Sequence, residues 1–180
     1  MKKNEAKKIA LEMLGTGESK KSVFEKLTGE GMSGRFIANI IASYANPGLC
    51  EKYKGLIKAV IVIAYVQVLV GLVAGFVYGG QYGAIGGLVG AILGAAWTLL
   101  FAWGFTQNKA WAYNVTILLS VIQVPKQISN FEKAPIYIGT MISISCALIF
   151  FYFYVRTKIF PDYAGLFSIK KLNGAYEFKE

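Results

Sequence analysis

The side chains able to do chemistry in this chain are few, and they sit in very apolar surroundings. Its 180 residues include no histidine, so the usual general base and the commonest metal ligand are both missing. Cys50 and Cys146 lie far apart and neither has a base beside it in sequence. They read neither as nucleophiles nor as a disulfide framework. The glycine-rich run near residues 83–94 lacks the Lys-Ser/Thr ending of a phosphate-cradling loop. What remains is a set of neutral amides and hydroxyls: Gln67, and the series Thr116, Ser120, Gln123 and Gln127. The series falls within ~60° on a helical wheel, while Asn114 points elsewhere. Such groups hydrogen-bond to one another across helices, or line a path for a small polar solute, and Gln67, Ser143 and Cys146 are the expected neighbours. No carboxylate accompanies them in the apolar stretches, which disfavours a proton relay or an ion-coupled carrier. The sequence therefore implies no enzyme activity, no cofactor and no metal.

The elements holding these groups follow from charge distribution. From Ala59 to Thr106 there is no Asp, Glu, Lys or Arg. A small soluble core could not absorb that much apolar surface, whereas a bilayer accepts it. The expected fold is all-α and integral to the membrane: a bundle of four transmembrane helices over 57–155, with spans at about 57–78, 83–105, 110–127 and 136–155. The third is the weak one. Its apolar part, Ala112 to Val124, carries Asn114, Thr116, Ser120 and Gln123 before Pro125 interrupts it. Charge supports its crossing. Four spans put both termini on one side with seventeen Lys and Arg, leaving Lys126 and Lys133, with Glu132 between them, on the other. Positive residues mark the cytoplasmic side, so both termini are expected in the cytoplasm of a cell with this protein in its inner (plasma) membrane. The net charge of +9 is thereby explained without nucleic acid.

Glycine placement is the most regular pattern. Gly71, Gly75 and Gly79 repeat every four residues in the first span, with Gln67 one step earlier; Gly83, Gly87, Gly90 and Gly94 follow in the second. Small residues let helix backbones approach closely, and dispersion then drives association. Two arrangements satisfy the stripe: a tight intramolecular hairpin, or a homo-oligomeric seam around a pore.

Residues 1–48 read as a module of three short helices, each bounded by glycine or a capping serine, with Ser22 and Glu25 at capping-box spacing. Residues 49–56 form an interfacial linker. Lys52, Lys54 and Lys58, with Arg156 and Lys158 across the bundle, are placed to meet lipid headgroups. The tail, 156–180, contains Asn173-Gly174 between short alternating runs, a hairpin signal. Three short helices suggest a DNA reader, but acidic residues interleave the lysines and the last helix offers only Arg35 and Asn39. The expected partners are the bilayer and a protein in the membrane or cytoplasm. The expected role is a bacterial scaffold, regulatory, accessory or immunity-type protein; the alternative is an oligomeric channel or transport subunit.

Overall fold

A computed structural model describes residues 1–129, 131 and 134–179. Glu132 and Lys133, counted above on the side opposite the termini, lie outside the described residues. The chain is mostly helical, with one two-stranded sheet.

It opens with α1 (Lys3–Gly15), α2 (Lys20–Gly29) and α3 (Gly34–Ala42). Each turns an apolar edge inward, so that Ala6, Ala10, Leu14, Val23, Leu27, Ile37, Ile40 and Ile41 form one buried cluster. The cap of α2 is Ser19, whose Oγ accepts the Ser22 amide at 3.2 Å; the Ser22–Glu25 box is not used. Residues 49–56, expected as an interfacial linker, are largely helical and begin within a short helix, α4 (Pro47–Lys52). Asn46 caps it, with Oδ1 accepting the Gly48 amide at 2.8 Å, and Pro47 suits a first helical turn whose N–H would lack a partner anyway.

Four longer helices follow: α5 (Lys54–Gly80), α6 (Ala84–Thr106), α7 (Ala110–Ile128) and α8 (Pro135–Ile159). Among the described residues three helices, α5, α6 and α8, are by length and composition apolar enough to cross a membrane, one fewer than the four such spans expected. The shortfall in α7 is one of hydropathy, because Asn114, Thr116, Ser120, Gln123, Lys126 and Gln127 interrupt its apolar residues. Pro125 does not end α7. It lies within the final turn, where few backbone bonds remain to lose.

The bundle is two hairpins. In the first, Gly83 takes a positive φ of 92°, which reverses the chain at no steric cost. The glycines of α5 and α6 then interlock: a Cβ on Gly75 would overlap the Gly90 carbonyl, one on Gly71 the Gly94 carbonyl, and one on Gly79 the Gly86 carbonyl. Gly86 therefore occupies the place the sequence pattern gave to Gly87, which faces the Phe76 ring instead, and Gly83 belongs to the turn. Helices α7 and α8 form the second hairpin, joined by a Gln127–Ser145 hydrogen bond of 3.4 Å. The two hairpins meet chiefly at the end that carries both chain termini. There Ile57, Val60, Ala64, Ala102, Phe105, Tyr113, Ile117, Tyr152, Val155 and Ile159 share a core, with Phe105 stacked on Tyr152 at 5.5 Å. Toward the opposite end both hairpins expose apolar side chains such as Leu69, Val73, Ile92 and Ile144, a surface suited to lipid.

After α8 the chain forms a loop closed by a Tyr163–Ile169 bridge, then β1 (Lys171–Leu172) and β2 (Ala175–Tyr176), paired antiparallel. Asn173 and Gly174 take φ of 50° and 84°, the pair of positive values that a type I′ turn demands.

Candidate functional site

The polar side chains of this molecule gather at two places. The first is the junction between the N-terminal helices and the tail. A two-stranded hairpin alone is marginal in water, and this one gains its support from α2: Tyr176 and Phe178 each pack on the Phe24 ring at 5.5 Å, and Phe178 joins the cluster of α1–α3. Beside that contact Lys20 Nζ lies 2.6 Å from Asp162 Oδ2, with side chains only 6% and 1% exposed. Lys20 also donates to the Lys179 carbonyl at 2.8 Å, and the Lys179 amide donates to Asp162 Oδ1 at 2.7 Å. Buried charges are tolerated only with such complete hydrogen bonding. Helices α1–α3 and residues 160–179 are thus a single folded module, assembled from the two ends of the chain.

Arg156 ties this module to the bundle. Expected at the headgroups from its place at the end of an apolar run, it is instead fully buried. Its Nε donates to Asn114 Oδ1 of α7 at 2.7 Å, and its Nη2 donates to the carbonyls of Gly165 and Leu166. The guanidinium lies over the Tyr163 ring at 4.8 Å. No acidic side chain pairs with it among the described residues. In place of a counter-ion the guanidinium has the aromatic face and the oxygens bonded to Nε and Nη2, while Nη1 is buried without a partner among the described residues. The correction has a physical cause: α8 continues a full turn past Val155, and loop 163–169 closes over the charge. Burial raises the Tyr163 phenol above its ordinary pKa, with Arg156 pulling the other way.

Of the remaining basic residues in that set, Lys52, Lys54 and Lys58 are exposed. Lys54 pairs with Glu51 at 2.9 Å, and Lys158 rests over Tyr154 at 5.2 Å. Cys50 is half-buried, and desolvation pushes its thiol up, which keeps it protonated and poorly reactive.

The second place is a cavity of about 170 Å³ between α5, α6 and α7, lined by Gln67, Thr98, Thr116, Ser120 and Gln123 with Trp97, Phe101 and Leu119. Gln67, Thr116, Ser120 and Gln123 come together here, and α6 adds Thr98 and the two aromatics, which no polar periodicity announced. Gln67 Oε1 accepts the Tyr152 hydroxyl at 3.3 Å. The Thr116 hydroxyl is buried without a protein partner among the described residues. Gln123 also borders a larger outer cleft with Gln127, Lys126, Tyr78 and Tyr137. Of the other expected neighbours, Ser143 turns back onto the Gly139 carbonyl, and Ser145 takes the role of partner to Gln127.

No protein-family model matches the chain, and no curated protein or solved structure does either.

Proposed function

We propose that this is a four-pass inner-membrane protein with both termini cytoplasmic, which presents the module of α1–α3 and the tail to a protein partner. One observation carries this reading: the buried Lys20–Asp162 pair joins a segment before α5 to a segment after α8. Two segments in contact lie on the same side of a ~30 Å hydrocarbon core, so the chain between them crosses an even number of times. Helices α5, α6 and α8 supply three crossings, and α7 supplies the fourth. Its polar groups enter the hydrocarbon turned inward: Thr116, Ser120 and Gln123 line the cavity with Gln67 and Thr98, while Asn114 and Gln127 bond to α8. The excess of positive residues beside the termini then sets the orientation.

The role proposed is non-enzymatic: scaffolding, regulating or protecting a membrane complex. The module is tied to the bundle through Arg156 and Asn114, as expected of a platform that reports to, or is held by, its membrane anchor. Affinity purification from native membranes tests it. A specific co-purifying protein that is lost on deletion of residues 1–48 supports the role; recovery of the chain alone, with no phenotype from that deletion, rejects it.

The cavity favours a second reading, a pocket for a small uncharged solute. Flux through liposomes holding the purified protein, reduced by Gln123→Leu, would support it. The glycine stripe no longer argues for a pore, since α5 and α6 consume it within one chain.

A further inference from the structure

Arg35 and Asn39, the two side chains that α3 offers too sparsely for a DNA reader, lie one helical turn apart and line a cleft completed by the tail. The cleft has a volume of about 630 Å³ and is also lined by Phe167, Ser168, Ile169, Lys171 and Tyr176. Its chemistry is one-sided. Two cations face it from separate elements, with an amide and a hydroxyl between them, and no carboxylate is among its lining residues. Arg35 makes no salt bridge among the described residues. Lys171 is steadied over the Tyr176 ring, 4.7 Å from its centroid, which leaves its ammonium able to donate outward. Lys8, Lys21 and Lys26 of the same module lie within 4.0 Å of a glutamate; no acid lines the cleft to compete with an anion from outside the chain.

We infer that this cleft binds a phosphate group, with Arg35 and Lys171 as its charged arms and the Ser168 hydroxyl as a neutral donor, the Asn39 amide being turned back onto the Arg35 carbonyl at 3.0 Å. Arginine's planar fork meets two phosphate oxygens at once, and lysine adds a point charge. Two sources supply that chemistry, a phospholipid headgroup or a soluble phosphorylated compound. Ile169 packs against the core of the bundle and Phe167 beside it is exposed, so the cleft opens close to where headgroups would lie. The inference rests on the reading of the chain as a membrane protein with this module at the membrane surface.

The test uses the full chain, purified and reconstituted into phosphatidylcholine nanodiscs. One arm adds phosphatidylglycerol to the discs; the other titrates inorganic phosphate against sulfate-free chloride at matched ionic strength. Thermal stability and hydrogen exchange over 33–39 and 168–176 are read in both. The expected result is saturable protection of those two segments in at least one arm. The arm that responds names the source. Arg35→Gln and Lys171→Gln should each weaken it about tenfold or more, as loss of a charge-assisted bond implies. Lys7→Gln, at an exposed lysine of the module outside the cleft, should leave it unchanged. Ser168→Asp, a surface change that brings repulsion without removing a cation, should also weaken it. No saturable response in either arm overturns the inference, as does equal loss in the Lys7 and Arg35 variants, which would mean diffuse attraction. Because insertion into nanodiscs is scored separately, failure of the membrane reading is distinguishable from failure of the cleft.

Discussion

Replacing Lys20 by methionine removes one charge from the contact that joins the two ends of the chain, at nearly constant volume. Asp162 would then be a carboxylate 1% exposed whose remaining side-chain contact is the Lys179 amide at 2.7 Å. Breaking one half of a buried pair costs about 3–5 kcal/mol. The surviving amide bond puts the expected loss near the lower figure. Since ~1.4 kcal/mol is tenfold in an equilibrium, amides of α1–α3 should lose on the order of 100-fold in hydrogen-exchange protection, while amides of α5 and α6 keep theirs. The double variant Lys20→Met/Asp162→Asn removes both charges and keeps an acceptor for Lys179, so most of the protection should return. Unchanged protection in Lys20→Met would refute the idea that the pair holds the module together. A double variant as weak as the single would show that packing, not charge, was lost.

Arg156→Lys keeps the charge but loses the fork and the stacking on Tyr163. Tail loop 163–169 should become protease-sensitive, with a destabilisation of ~2 kcal/mol read by thermal unfolding in detergent. Gly75→Ala should destabilise the first hairpin by about 1–3 kcal/mol through backbone overlap, whereas Gly80→Ala, which meets open space, should be neutral in the same assay. For Cys50 the sign runs from burial to a raised pKa to less thiolate at neutral pH. Maleimide labelling should therefore be slow there and keep accelerating as pH rises beyond the ~8.5 of an ordinary thiol; a rate levelling off below that value contradicts it.

The hairpin of α5 and α6 was legible, as one of two arrangements, because its cause is local: glycines spaced along one face on both sides of a short turn can pair within one chain. The error of one residue, Gly87 for Gly86, arose because adjacent glycines fit the same wheel sector, and only the register 71 with 94, 75 with 90 and 79 with 86 separates them. The type I′ turn at Asn173-Gly174 was local in the same sense. The two structural ties were not legible. Lys20 and Asp162 are 142 residues apart, and no periodicity links them. Arg156 looked like the end of a span because a cation follows an apolar run. Its partner, Asn114, is the amide that lies off the polar stripe of α7. Asn114 does point away from the cavity, and for that reason it reaches α8.

The account depends most on α7 crossing the membrane, and reporter fusions after Ser129 and after Lys179 test this directly. With an even number of crossings the Lys179 fusion reports cytoplasm, on the same side as the N-terminal helices, and the Ser129 fusion reports the far side. If α7 instead lies flat on the inner surface, the Ser129 fusion reports cytoplasm and the tail reports outside. That result would separate Lys20 from Asp162 by the thickness of the bilayer and contradict the joined module.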